Sequence, residues 1–304
     1  MYLAFLGLRE LPFSITPDTQ FFYPCSSTQN ALNTLLVAVR SGEGFVKITG
    51  EVGTGKSLLC RTLMNRLADD FCVAYVPNPL VDASSLLQDI ARELSLEVDA
   101  DASAAQCLRL LNAHLMNLHL QGQRVMVCLD EAQAMSIETL EALRLLTNLE
   151  TEKRKLLQVV IFGQPELDRK LDRPEIRQLK QRIVFHYRLS PMRADEVGQY
   201  VAHRLSVAGY KGAPLFSKMA LWLLTRETGG VPRLVNILAH KALMSAYGKG
   251  HRAVDVWDVR AAVKDTELSG AADPVRRALG SVPGLLWISG LVAVGWWMAR
   301  SLAP

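Results

Sequence analysis

Residues 50–57 read Gly50-Glu51-Val52-Gly53-Thr54-Gly55-Lys56-Ser57, a complete G-x-x-x-x-G-K-[ST] pattern. Each position has a chemical role. The glycines let the backbone curl so that successive N–H groups face inward and cradle an anion. Lys56 can reach the β- and γ-phosphates of a bound triphosphate, and Ser57 can offer its hydroxyl to Mg²⁺. A helix that opens at Lys56 points its positive end at the same anion. The flanking residues suit phosphate binding. Phe45-Val46-Lys47-Ile48-Thr49 is a β-rich run just before the loop, and Leu58, Leu59, Leu63 and Leu67 recur at helical spacing just after it. The expected nucleotide contacts are Gly50, Glu51, Val52, Gly53, Thr54, Gly55, Lys56, Ser57 and Leu58.

Binding is not hydrolysis, which needs a second constellation. Val125-Met126-Val127-Cys128-Leu129 is an apolar run that ends in Asp130-Glu131, about seventy residues after the loop. Open α/β sheets place their ligands at the C-terminal ends of strands. Asp130 is expected to hold Mg²⁺ beside Ser57, directly or through water, and Glu131 to act as general base toward an attacking water. A third apolar run, Val159-Val160-Ile161-Phe162, ends in Gly163-Gln164, whose amide can touch a γ-phosphate and orient that water. Arg177-Gln178-Leu179-Lys180-Gln181-Arg182 is a basic helix end, and Gly229-Gly230-Val231-Pro232-Arg233 opens another helix with proline suited to its first turn. Arg233 on that turn could reach the nucleotide from above.

The elements that must carry these residues follow from periodicity. Candidate strands are 45–49, 72–76, 125–129, 157–162 and 183–189, and the helical stretches between them include 84–94, 104–120 and 137–149. Apolar strands alternating with helices predict an α/β fold with a parallel sheet covered on both faces. Beyond Ser190-Pro191 no strand is convincing. Residues 193–207, 217–227, 232–248 and 254–266 read as helices, a small all-helical domain. The net charge of +4 does not by itself suggest nucleic-acid binding. The five cysteines are scattered, with no C-x-x-C pair, so neither a zinc site nor a disulfide is expected. Glu10, Pro12, Pro17 and Asp18 interrupt any leader-like apolar stretch near the start, which places the main body on the cytoplasmic side. From Ala278 to Ala299 run about twenty-two residues without a charge, with Arg276-Arg277 before them and Trp287, Trp296 and Trp297 near their ends. That length and those flanks predict a transmembrane helix with the basic pair on the cytosolic side. The expected organisation is an α/β core with an N-terminal extension over 1–190, a helical lid over 191–268, a linker over 269–277, a membrane helix over 278–299 and a short tail over 300–304.

Together the phosphate loop, the Asp130-Glu131 pair, Gln164, Gln181-Arg182-Ile183 and Gly230-Val231-Pro232-Arg233 resemble the AAA+ ATPases. Within these the chain is similar to the general secretion pathway protein A (ExeA-type) branch, and to its MshM-type ATPases of mannose-sensitive haemagglutinin (MSHA, type IV) pilus biogenesis. Met1-Tyr2-Leu3, Gly7-Leu8, Leu11-Pro12-Phe13, Thr16-Pro17-Asp18, Ala31-Leu32, Gly42-Glu43-Gly44-Phe45 and the run 49–60 carry that likeness, which covers roughly residues 1–270. The resemblance implies an AAA+ P-loop core with a five-stranded parallel sheet, a helical lid, Mg-ATP as ligand, assembly into a homo-oligomeric ring, and work with pilus or secretion proteins at the bacterial inner membrane. It puts Gln164 at the sensor-1 position, more often Asn or Thr in the wider superfamily. It puts Arg182 at the arginine-finger position, with Arg177 as the alternative, and Arg233 at the sensor-2 position. Longer members of the branch continue into a periplasmic peptidoglycan-binding region; this sequence stops at Pro304, and that activity is not carried over. Nucleic acid is not an expected partner. The alternatives are an ATP-dependent oligomeric scaffold whose turnover is incidental, and an ATPase of the DNA-transposition type.

Overall fold

A computed structural model describes residues 2–150 and 155–266. In chain order the helices are α1 (Tyr2–Leu6), α2 (Ser26–Arg40), α3 (Lys56–Leu67), α4 (Ala83–Glu93), α5 (Ala104–Leu120), α6 (Ile137–Leu146), α7 (Glu166–Leu171), α8 (Arg177–Arg182), α9 (Ala194–Val207), α10 (Lys218–Thr228), α11 (Pro232–Gly248) and α12 (Val256–Asp265). The strands are β1 (Phe45–Gly50), β2 (Phe71–Val76), β3 (Arg124–Leu129), β4 (Leu157–Gly163) and β5 (Phe185–Leu189). They form one sheet in the order β2-β3-β4-β1-β5, every pair parallel. This is the five-stranded α/β arrangement that the alternating pattern predicts.

Successive side chains of a strand point to opposite faces, so a strand covered on both sides must be apolar throughout. Val125, Val127 and Leu129 of β3 and Leu157, Val159 and Ile161 of β4 enter one apolar cluster with α4, α5 and α6. Met126, Cys128, Val160 and Phe162 enter the other, with Leu32 and Leu35 of α2 and Leu59 and Leu63 of α3. The edge strand β5 departs from this: Phe185 and Tyr187 pack against the second cluster, whereas His186 and Arg188 alternate to the opposite face and are exposed. It also starts later than the β-rich run 183–189, since Ile183 N–H donates to Lys180 O and closes α8.

A third apolar cluster holds the lid together. Val197 and Val201 of α9, Leu224 of α10, Leu238 and Leu243 of α11 and Val259 of α12 are its centre. Tyr2, Leu6, Leu8, Phe13 and Phe21 belong to the same cluster. The chain therefore begins on the lid, with Tyr2 Oη 3.0 Å from His240 Nδ1, and then crosses to the sheet layer at α2. Glu196 of α9 pins that crossing: its carboxylate accepts from Ser26 N–H (2.7 Å), Ser26 Oγ (2.5 Å) and Arg193 N–H (2.8 Å). Among the described residues no helix is long and apolar enough to cross a membrane, and the stretch 278–299 lies outside them.

Candidate functional site

The loop 50–57 joins β1 to α3 at the C-terminal edge of the sheet. Gly53 (φ +81°) and Gly55 (φ +97°) take left-handed backbone, and Gly55 is the residue that caps α3. A Cβ at Gly53 would lie 2.7 Å from Arg233 Cβ, so only glycine lets the lid close onto the loop. The contact is also polar: Arg233 N–H donates to Gly53 O at 3.2 Å.

Lys56 is buried, and its Nζ donates to Gly50 O (2.8 Å) and Glu51 O (3.0 Å). Burial lowers its pKa, and the carboxylates of Glu131, Asp130, Glu51 and Glu166 oppose that shift. Thr54 is buried and donates its hydroxyl to Glu51 O at 2.8 Å, which braces the loop from behind. Glu51 itself is exposed and faces Arg188 at 3.6 Å. Asp130 lies under the loop, 3% exposed. Burial raises its pKa, and a hydrogen bond from the Ser57 hydroxyl counters the rise. The Asp130 carboxylate and the Ser57 hydroxyl are hard oxygen donors of the kind Mg²⁺ takes, so these residues fit the ion.

The cleft above has a volume of about 340 Å³. Val52, Gly53, Gly55, Lys56, Ser57 and Leu58 form its floor, Glu131 and Gln164 one wall, and Pro232 and Arg233 of the lid another. Glu131 holds left-handed backbone (φ +53°), an uncommon conformation for a side chain larger than glycine and one that clusters at functional sites. Gln164 Nε2 donates to Glu131 Oε2 at 3.2 Å.

Gln133, which is not among the residues expected from the sequence, ties the two residues of this wall together. Its Nε2 donates to Glu131 Oε2, and its Oε1 accepts from Gln164 N–H at 2.9 Å. Its own carbonyl accepts from Lys170 Nζ at 2.6 Å. The carboxylate is thus aimed by two amides that are themselves tied down. The signal lies in the Asp-Glu-Ala-Gln run, where a third polar side chain follows the acidic pair.

The far end of the cleft is not legible in the sequence. Ser14–Asp18 of the crossing segment line it, with Tyr200, Arg204 and Asn236 of the lid. Arg204 is 4% exposed and donates to Tyr200 Oη (3.0 Å) and Ser14 O (3.3 Å), with its guanidinium 4.7 Å from the centre of the Phe21 ring. Tyr200 donates to Asn236 Oδ1 at 2.8 Å, and Asn236 Nδ2 to Ser14 O at 3.3 Å. These polar residues are far apart in sequence and carry no spacing that links them.

Arg182 stands apart from the cleft. Its Nη1 donates to Thr147 Oγ1 at 2.9 Å, and it does not line the floor or walls; Arg177, at the start of the same helix, is exposed.

Residues 39–171 match a family model described as an AAA domain. Over 297 residues, 98% of this chain, the sequence is 41% identical to general secretion pathway protein A of Aeromonas hydrophila, and it spans about half (54%) of that protein's length. Solved structures of similar fold include the Aeropyrum pernix ORC2 protein in ADPNP-ADP complexes (20% identity, TM-score 0.62, 83% of this chain and 72% of that one). Cdc6p from Pyrobaculum aerophilum is another (20%, 0.65, 84% and 70%). The Thermotoga maritima RuvB Holliday junction branch migration motor is a third (14%, 0.55, 79% and 68%). At such identities these structures speak to the fold alone. The chain has the α/β AAA+ P-loop fold with five parallel strands, and it is related to general secretion pathway protein A.

Proposed function

We propose that this AAA-domain relative of general secretion pathway protein A is a Mg-ATP hydrolase. It works as a homo-oligomer, anchored in the bacterial inner membrane by its apolar stretch 278–299, with the ATPase domain in the cytoplasm. It drives or regulates assembly of a type IV pilus of the MSHA kind, in the manner of the MshM-type ATPases, or of a secretion machine. The observation that carries the hydrolase reading is the convergence on one cleft of Lys56, Ser57, a Glu131 carboxylate aimed by two amides, and a lid arginine, with the buried carboxylate of Asp130 beneath.

The residues act as follows. Lys56 has already lost its water shell, so turning from two carbonyls to phosphate oxygens exchanges neutral acceptors for charged ones, which bind an ammonium more strongly. Ser57 and Asp130 would hold Mg²⁺, which would neutralise charge on the bound triphosphate. Glu131 accepts a proton from the attacking water as its oxygen bonds to the γ-phosphorus and the bond to the β-bridging oxygen breaks. Gln164 and Gln133 keep the carboxylate oriented. Arg233, on the first turn of α11, brings positive charge from the lid. Arg182 lies outside its own cleft, and on giving up its bond to Thr147 it would serve a neighbouring protomer's nucleotide.

ATPase rate per protomer, measured against protein concentration for wild type and Arg182→Ala, tests the oligomeric part. A rate that climbs with concentration in wild type and stays low in the variant is expected. A flat rate that the variant leaves unchanged sinks the shared-site reading. Nucleotide-dependent assembly without turnover marks the ATP-dependent scaffold instead.

A further inference from the structure

The two tryptophans among the described residues lie on the surface of the lid: Trp222 is 53% exposed and Trp257 62%. Tryptophan is highly buried on average, so two exposed indoles on one small helical layer mark a candidate contact surface. Both carry the same chemistry. On α10, Lys218, Met219, Trp222 and Arg226 are all exposed and fall at helical spacing on its outer face, with the Arg226 guanidinium 5.5 Å from the Trp222 ring centre. On α12, Trp257, Arg260 and Lys264 make a stripe of the same kind, with Arg260 5.6 Å from Trp257. On α12 the charge is available, whereas on α10 Arg226 lies 3.8 Å from Glu227. Arg260 and Lys264 meet no carboxylate among the described residues, and neighbouring Asp265 is held by Lys241 at 2.9 Å.

An indole flanked by cations is an amphipathic unit suited to a bilayer interface: the ring sits at headgroup depth, and Arg and Lys meet anionic phosphates. The sequence beyond α12 agrees. Arg276 and Arg277 follow closely, and then the uncharged stretch 278–299. We infer that the outer faces of α10 and α12, centred on Trp222 and Trp257, dock on an anionic bilayer surface and hold the lid against it. The inference rests on the membrane anchoring proposed above and adds a second, peripheral contact made by the folded domain.

The test uses the full-length chain with Ala261→Cys, which adds a thiol beside the α12 stripe. Four native cysteines are buried, and wild type treated in the same way corrects for the partly exposed Cys72. A polarity-sensitive maleimide dye is attached, and the chain is reconstituted into phosphatidylcholine vesicles with and without phosphatidylglycerol. Alkaline flotation reports the anchor separately. A blue-shifted emission, quenched by headgroup-labelled nitroxide lipid, is expected in the phosphatidylglycerol vesicles and not in phosphatidylcholine alone. Arg260→Gln with Lys264→Gln should weaken the docked state roughly thirtyfold, the effect of two basic residues near an anionic surface. A chain that floats while the dye stays in water on both vesicles overturns the inference and leaves the anchor intact. A chain that fails to float while the dye still responds to added phosphatidylglycerol vesicles removes the anchor and upholds the inference. An equal response to both vesicle types, or a larger response to duplex DNA than to vesicles, also overturns it.

Discussion

Replacing Gly53 with alanine should separate the lid from the phosphate loop, and Gly55→Ala is the built-in control. Both glycines are left-handed, so each alanine carries a backbone strain of about 1–2 kcal/mol. They differ in what the new methyl meets. At Gly55 nothing lies within 4 Å, whereas at Gly53 the methyl would stand 2.7 Å from Arg233 Cβ and 3.3 Å from Val231 Cγ1. The lid must then move back, which gives up the Arg233 N–H to Gly53 O bond, about 1 kcal/mol net, or tolerate an overlap that costs about 1–3 kcal/mol. The cheaper route sets the difference, so Gly53→Ala should be less stable than Gly55→Ala by about 1 kcal/mol. For a chain of 304 residues that is roughly 1.5–2 °C in Tm. Calorimetric unfolding of the nucleotide-free protein measures it. Arg233→Gly removes the offending Cβ, so the pair Gly53→Ala and Arg233→Gly should show a favourable coupling of similar size in a double-mutant cycle. Equal losses for the two alanines, or additivity in the cycle, would refute the close approach of lid and loop.

Gln133→Ala leaves nucleotide contacts in place but frees the Glu131 carboxylate from one of its two amides. A fall in kcat of about 10–100-fold with KM nearly unchanged is expected in steady-state ATPase assays, because misplacement of a base acts on the chemical step; a change confined to KM would contradict the role. Glu196→Gln tests the crossing segment. Burial favours the protonated acid, but bonds from Ser26 and Arg193 outweigh it and hold the Glu196 pKa below its ordinary value. The ionised carboxylate therefore adds stability above about pH 4.5, lost as pH falls through the lowered folded value. Glu196→Gln should lose about 1–3 kcal/mol near neutral pH, with the gap closing in acid; a gap independent of pH would count against the carboxylate bonds.

The sheet and the phosphate-loop side of the cleft are legible because each leaves a local pattern. Val125–Leu129 must be apolar on both faces, and the phosphate loop must place glycine at Gly53 and Gly55, so both requirements are written into short stretches. The resemblance then places Arg233, which the fold brings to the cleft as expected from its helix start. Hidden are relations between distant segments. Tyr2 and Phe13 read as an N-terminal extension, yet they pack in the lid's apolar cluster. Arg204, Tyr200, Asn236 and Ser14 form one bonded group only once α9, α11 and the crossing segment meet. A single buried arginine in an amphipathic helix looks, in sequence, like an ordinary surface residue.

The most direct measurement is single-turnover hydrolysis of radiolabelled ATP by wild type and by Glu131→Gln, with nucleotide affinity measured on the same samples. Glu131 lines the cleft while Lys56 and Ser57 form its floor, so binding and chemistry should separate cleanly. The account predicts that the variant retains ATP with affinity close to wild type and loses cleavage by about 10²–10⁴-fold. Cleavage at the wild-type rate in Glu131→Gln, or a wild type that binds ATP and never turns it over, would contradict it.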